Sequence, residues 1–429
     1  MQIIVLGAGV VGLATAYYAA RDGHGVTVVD RNDGVALETS FANGAQLSYS
    51  YVAPLAGPGV LGKIPPWLMR RDSPLRFYPA LDLAQWRWLL QFVLACNRTQ
   101  SDLTTRRLLS LAFYSRTLLR QLLAEEPIEF GHATNGKLVV YSDEEGFATA
   151  RRLVGYQRSL GCDQHALGRA ECMALEPVLD DPDSALGQRL VGGIHTPSEE
   201  VGDCYRFCVG LERRLQAMGV RFALGMQIKK LFLRGKTVVC SVSGGGEIAG
   251  DRLVLATGAH ASALARPLGL HLPVYPLKGY SLTLPVQGRS PRMNITDFKR
   301  KVVYAPLATQ AGTATGDRLR VAGMADIAGY SRRPDPVRIG QLIAEASAAF
   351  PDATNYASPR ENMQPWCGLR PATPKGTPVL GATPVPHVFV NCGQGALGWT
   401  LALACGRVLA DALANRPSEI ALDGFGYRN

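Results

Sequence analysis

The chain opens on an apolar run, and Gln2 to Leu6 predicts a buried strand. From Leu13 to Arg21 the apolar positions switch to helical spacing, with small residues facing that strand, and Gly23 ends the helix. Val26 to Val29 is a second strand, closed by Asp30. The pattern then breaks. LETSFANGAQLSYSYVAP is rich in Ser, Thr, Asn and Gly and has little periodicity. It suits either a surface loop or a cover of small side chains and backbone N–H groups over a bound molecule. Residues 57–100 carry proline breaks, the pair Arg70 and Arg71, and Trp67, Trp86 and Trp88; from Asp82 the tail is an amphipathic helix. Two readings stand for this stretch: an excursion folded onto the body, or a basic and aromatic face that meets a membrane surface.

A long helix is predicted over 102–125, stopped by Pro127. IEFGHATNGKLVVYSD reads as two strands with Asn135-Gly136 as the hairpin turn. Helices follow near 143–160 and 168–175, and from Cys204 to Met218 with Asp203 as N-cap. GVRFALGMQIKKL predicts a strand entering a hairpin that TVVCSVSGGGEIAG continues, and RLVLATGAH a buried strand stopping at Gly258. Residues 273–330 are strand-rich, and a helix is predicted over 335–349. The strand HVFVNC and the turn GQGALGWT then open a last helix through Leu413. Only the start, the Ala256-Thr257-Gly258 strand and the end look like nucleotide-domain elements. Two discontinuous domains are therefore expected, one over 1–56, 143–272 and 351–429, the other over 57–142 and 273–350.

With 429 residues, 47% of them hydrophobic and 19% charged, the chain has ample core for two or three domains. A net charge of +10 suits nucleic acid, anionic lipid or carboxylate substrates. No basic run or nucleic-acid motif stands out, which weakens the first. The nearly uncharged N-terminus has three glycines and no basic n-region. It reads as a buried βα unit of an intracellular, cytoplasmic protein rather than a signal peptide or span. Nine cysteines are scattered without CxxC pairs, and Cys204 and Cys208 stand one helical turn apart without a histidine cluster. Buried free thiols and no metal site are expected.

The chemistry starts at Gly7, Gly9 and Gly12, a G-x-G-x-x-G between a strand and a helix, with the acid Asp30 ending the next strand. This is the Rossmann-type context for a dinucleotide. The glycines give the tight turn, the close approach of a pyrophosphate and the helix packing, while the acid accepts from a ribose. The stretch does not separate FAD from NAD. Gly393, Gly395 and Gly398 form a second strand–glycine–helix unit. Either it is a tight turn, or its N–H groups hold another electron-rich part of the cofactor, which favours the longer FAD. Arg370, on a Pro-Gly-rich stretch, is compatible with a carboxylate fork or with a solvated or structural charge. Tyr304 alternates with apolar neighbours, as a core tyrosine or a substrate-binding hydroxyl does. Lys278 reads as an exposed lysine or a polar group beside a flavin. No G-x-S-x-G or P-loop is present, which disfavours hydrolase and kinase chemistry.

VLGAGVVGLATAYY, ALETSFANGAQLS, YVAP, GDC, VYPLKGYSLT, GMADI, GLRPATPKGTP and NCGQGALGWT together carry a resemblance over nearly the whole chain. The chain resembles the D-amino acid dehydrogenase small-subunit family, within the D-amino acid oxidase/glycine oxidase superfamily of flavoenzymes. The resemblance implies an α/β fold: a Rossmann-type FAD-binding domain plus a discontinuous α+β substrate domain with a mixed or antiparallel sheet. It implies noncovalent FAD and oxidative deamination of D-amino acids by hydride transfer to flavin N5, with electrons passed to a quinone or respiratory acceptor. By the same resemblance, Gly7, Gly9, Val11, Gly12, Asp30 and Arg31 hold the ADP part. Ile228 contacts adenine through its backbone, and Thr257 and Gly258 lie beside FAD. Thr39, Ser40, Asn43, Gly44, Gln46 and Leu47 line the pyrophosphate and ring region. Gly393, Gly395, Leu397, Gly398 and Thr400 face the flavin. Arg370 pairs with the substrate carboxylate beside the cofactor, and Tyr304 falls on a substrate-contacting tyrosine of glycine oxidase-like relatives.

Gln394 stands where close relatives tend to carry His, and Lys375 where they carry an acid; Asp326 keeps its acid. Cys367 is one residue from the position that links flavin covalently in some superfamily members, so no covalent link is expected. Alternatives stay open at this level: D-proline or a hydroxyproline isomer as substrate giving a cyclic imine, an oxygen-using oxidase, and a non-catalytic flavin-binding subunit of a membrane complex.

Overall fold

The computed structural model describes residues 1–62, 73–309 and 317–427. Trp67, Arg70 and Arg71 lie outside the described residues.

A six-stranded sheet runs in the order Val379–Ala382, Val388–Cys392, Arg252–Leu255, Gln2–Leu6, Gly25–Val29, Arg221–Ala223. All neighbours are parallel except the Val379–Ala382 edge. Ile3 and Val5 join one core cluster, Ile4 and Leu6 the one on the opposite side. That two-sided burial is why the opening run is apolar throughout rather than alternating. The first helix, Val10–Arg21, packs against the last, Gly398–Leu413. A Cβ at Gly406 would lie 2.7 Å from the Ala14 carbonyl carbon, so only glycine allows this approach. Among the described residues one segment, Gly395–Leu413, is long and apolar enough to cross a membrane; 72% of its apolar window is buried, as the core helix.

A nine-stranded mixed sheet forms the second layer, with Trp366–Ala372, Tyr275–Pro285, Arg318–Ile327 and Val302–Leu307 antiparallel in succession. It continues through Asn294–Asp297, Lys137–Tyr141, Gly192–Thr196 and His165–Gly168, while Leu75–Phe77 pairs with Arg318–Ile327. The helix Pro336–Ala349 covers one face through Ile339, Leu342 and Ala346. The other face looks toward the six-stranded sheet across a cavity.

Three strands inside the ranges 143–272 and 351–429 belong to the nine-stranded sheet rather than to the nucleotide sheet. His165–Gly168, Gly192–Thr196 and Trp366–Ala372 hydrogen-bond into the nine-stranded sheet, because their partners Lys137–Tyr141 and Tyr275–Pro285 are there. The hairpin expected at Asn135-Gly136 is also absent. Gly136 has φ +74°, but the residues before it make only an isolated bridge, Ala133 to Val201. Phe130 is instead buried edge-on against Phe207 and Trp399, so burial rather than strand pairing fixes that segment.

Candidate active site

A cavity of about 670 Å³ lies between the two sheets and takes lining from both. At one end stand the first glycine turn and the strand ends around it: Gly7, Gly9, Val11, Asp30, Arg31 and Thr257. Gly258 and Ile228 line the same region. The loop residues Thr39, Ser40, Asn43, Gly44 and Gln46 line its wall. Gly395, Leu397, Gly398, Thr400 and Arg370 complete the lining.

Gly7, at φ +107°, gives the tight turn; a Cβ there would lie 2.5 Å from Ala256 O. Gly12, Gly393 and Leu47 stand behind the wall. A Cβ on Gly12 would meet Gly7 O at 1.8 Å, and one on Gly393 would meet Thr373 Cγ2 at 2.6 Å. Glycine at 12 and 393 lets these turns pack closely. Leu47 is buried and pairs with Glu200.

The first helix starts at Val10 with Gly9 as a side-chain-free N-cap. Ser40 Oγ accepts from Val10 N at 3.1 Å. Asp30 closes the strand tip by accepting from Ala8 N at 2.7 Å and Asn32 N at 2.9 Å. The loop is fastened onto the second sheet. Thr39 Oγ1 donates to Leu369 O at 2.9 Å, Ser281 Oγ to Ala42 O at 2.6 Å, and an Arg320 N–H to Asn43 O at 2.6 Å. Glu38 gathers Arg31, Arg332 and His260. Burial raises the Glu38 carboxyl, but the hydrogen bond and charge of Arg31 prevail and hold it below its ordinary range.

The lining fits a bound dinucleotide with a polar ring system. Thr257 Oγ1 and Trp399 Nε1 are buried without hydrogen-bond partners. Gly258 and Gly395 have φ +51° and +59°, and nothing fills the space where a Cβ would stand. Two glycine turns with helix N-termini thus offer donors to one elongated cavity.

Arg370, half-buried, is a cation of the opposite wall. Its side chain lies across Gly279, where a Cβ would come within 2.4 Å of the guanidinium. The strand bulges between Lys278 and Tyr280, opposite Met324, which has φ +60°. That turn directs the Met324 carbonyl to Arg370, 3.0 Å from its N–H donor. Among the described residues this is the guanidinium's single hydrogen bond, which leaves most of its five donors open. Burial lowers its pKa, with the charge of Asp326 opposing. Gly279 and Met324 went unread in the sequence, although a glycine inside a strand does mark a bulge or a close approach.

Tyr304 is not in this wall. On Val302–Leu307 the side chains alternate, so Val303 lines the cavity and Tyr304 points the other way, edge-on to Phe350. It is fully buried, and its hydroxyl reaches Glu345 O at 3.4 Å. The strand's period of two makes it a core residue, against the substrate-contacting role the resemblance implied. Tyr304→Phe is expected to leave kcat/KM within about twofold and to cost about 0.5–1.5 kcal/mol of stability at most, the worth of one hydrogen bond. Steady-state kinetics and denaturant unfolding check both. Lys278 is also off the lining; its ammonium donates to the Arg333 carbonyl. Cys367 is buried, its thiol donating to Arg332 O at 2.9 Å. Two lysines do line the cavity, Lys137 and Lys301.

A family model described as DAO, FAD dependent oxidoreductase, matches residues 2–412. The chain is 48% identical over 431 aligned residues to D-amino acid dehydrogenase 2 of Ralstonia nicotianae, covering 98% of each. It is 43% identical to the D-amino acid dehydrogenase of Paramagnetospirillum magneticum, covering 99% of this chain and 98% of that one. Its fold matches glycine oxidase from Geobacillus kaustophilus with a TM-score of 0.76 at 19% identity, over 100% of this chain and 98% of the other. Iminodiacetate oxidase from Chelativorans sp. BNC1 matches with a TM-score of 0.72 at 21% identity, over 100% and 99%.

Proposed function

The chain belongs to the DAO family of FAD-dependent oxidoreductases, and we propose that it oxidises D-amino acids to imines, which hydrolyse to 2-oxo acids and ammonia, and passes the electrons to a quinone or another respiratory acceptor. The relatives named D-amino acid dehydrogenase support the substrate class. The observation that carries the reading is Arg370, a half-buried guanidinium with open donors in the wall of a cavity fit for a dinucleotide.

Gly7, Gly9, Val11 and Asp30 would hold the ADP part, with Gly395, Leu397, Gly398 and Thr400 at the ring. FAD held there would supply the two-electron acceptor for the hydride that leaves the substrate Cα. Arg370 binds the substrate carboxylate as a fork, and so fixes where Cα and its hydrogen lie. The Met324 carbonyl and the space over Gly279 hold that fork in one orientation. The substrate amine enters neutral, so that its lone pair assists loss of the hydride. Positioning in a water-poor cleft is the chain's main contribution.

Purified holoprotein offered enantiomeric pairs of amino acids, with an artificial dye as acceptor and peroxide measured in air, tests this. Dye reduction with D-enantiomers and little peroxide is expected. Stoichiometric peroxide would make the protein an oxidase, and turnover confined to proline analogues would move it to cyclic imines.

A second observation supports an acceptor dissolved in a membrane and a peripheral location on its cytoplasmic face. The helix Leu83–Ala95 buries Trp88, Phe92 and Ala95 in the protein. Leu83, Leu90 and Leu94 are 77%, 63% and 69% exposed, and Trp86 and Val93 are exposed beside them. Exposed apolar residues on one helix face mark a contact surface. The core beneath includes Leu75, which also lines the cavity. Leu90→Glu with Leu94→Glu is expected to weaken co-sedimentation with anionic lipid vesicles by at least about tenfold, while dye-linked turnover stays unchanged. Equal co-sedimentation of variant and parent would remove the membrane from this reading.

A further inference from the structure

Lys137 is 2% exposed, yet it lines the cavity. Its Nζ donates to Gln46 Oε1 at 2.8 Å and to Ser48 Oγ at 2.9 Å, and stands 4.3 Å from the centre of the Tyr51 ring. Gln46, Ser48 and Tyr51 line the cavity as well. Ser48 is tied at the same time to the last helix, since its backbone N–H donates to Thr400 Oγ1 at 3.1 Å. Thr400 lies in the first turn of Gly398–Leu413. A short chain of contacts thus links the ammonium to a helix N-terminus, which carries partial positive charge of its own.

The direct acceptors of Lys137 are neutral. The buried carboxylate in its neighbourhood is Glu199, whose Oε1 accepts from Ser50 N at 2.6 Å. Among the described residues the two form no ion pair within salt-bridge distance. Burial pulls the lysine down to about 8, and the charge of Glu199 opposes this. A buried ammonium whose direct acceptors are neutral, with its neighbouring carboxylate beyond ion-pair distance, pays a desolvation cost that an apolar side chain of similar length would not.

We propose that Lys137 tunes the cofactor: its ammonium, with the N-terminus of the last helix, places positive charge beside the redox-active ring of FAD and raises the ring's affinity for electrons. This rests on the reading that the cavity holds FAD with its ring at the terminal glycine turn. Two-electron reduction adds negative charge to the ring, and a nearby fixed cation favours the reduced form. Lys137 need not touch the substrate, and its effect is on the driving force of the electron transfer.

The test compares the parent with Lys137→Met and Lys137→Arg, each purified with FAD. Flavin content is read from absorbance, and the two-electron midpoint potential from anaerobic titration against a reference dye. The Met variant is expected to retain FAD with a midpoint more negative by at least about 30 mV, a tenfold loss in the reduction equilibrium. The Arg variant is expected to stay near the parent. Should the Met variant fail to fold, Lys137→Gln keeps the hydrogen bonding without the charge and gives the same comparison. A charge-free variant that holds FAD at the parent's potential overturns the proposal. Parent protein that binds no FAD overturns the cofactor reading beneath it, a different and separately visible failure.

Discussion

Arg370→Ala is expected to raise KM for D-amino acids by the equivalent of about 2–5 kcal/mol, the cost of truncating one member of a desolvated, hydrogen-bonded charge pair. At its lower limit this is roughly a 30-fold loss. The size follows from the setting. The guanidinium is half-buried in the cavity wall, its one protein hydrogen-bond partner among the described residues is a backbone carbonyl, and no carboxylate there pairs with it. A substrate carboxylate is then its natural counter-ion, and both groups lose water on binding. Arg370→Lys keeps the charge but not the planar fork, so an intermediate loss is expected. Steady-state kinetics with a dye acceptor measures both. Unchanged KM and kcat in Arg370→Ala would end the assignment.

Asp326→Ala is expected to lower stability by about 3–5 kcal/mol, as removal of one partner from a buried ion pair does. Arg338 is fully buried, and its terminal N–H reaches Asp326 Oδ1 at 2.5 Å. A second N–H of Arg338 reaches the Ser73 carbonyl at 2.7 Å. Tyr280, in the neighbouring strand, donates its hydroxyl to Asp326 Oδ2 at 2.7 Å. The variant strands a buried guanidinium and a buried phenol together. Denaturant unfolding gives the value, and a loss below about 1 kcal/mol, within the range of a surface pair, would contradict this picture. Asp326 therefore supports the wall that carries Arg370 from behind; its carboxylate is occupied by Arg338 and Tyr280.

Local chemistry made the nucleotide sheet legible. The opening βαβ unit, the Ala256-Thr257-Gly258 strand end and the terminal glycine turn each carry their own glycines and two-sided apolar runs. Residues 37–47 were legible as a cover because small residues there have no periodicity to bury. The second sheet was legible as strand-rich but not in its pairing. Lys137–Tyr141 pairs with segments far away in the chain, and nothing near Asn135-Gly136 reveals that. Arg370 stayed undecided on spacing alone, since its role depends on Gly279 and Met324 lying across it, both distant in sequence. For Tyr304 alternation left a core tyrosine and a substrate-binding hydroxyl both open, because both faces of its strand are covered, one by a helix and one by the cavity.

The most direct measurement is anaerobic mixing of flavin-loaded protein with single enantiomers of an amino acid, following flavin absorbance. Rapid bleaching by D-enantiomers, absent with their L-counterparts and suppressed in Arg370→Ala, is the expected result. Flavin that stays oxidised with every D-amino acid, or bleaches equally with Arg370 removed, would contradict a D-amino acid dehydrogenase built around that arginine.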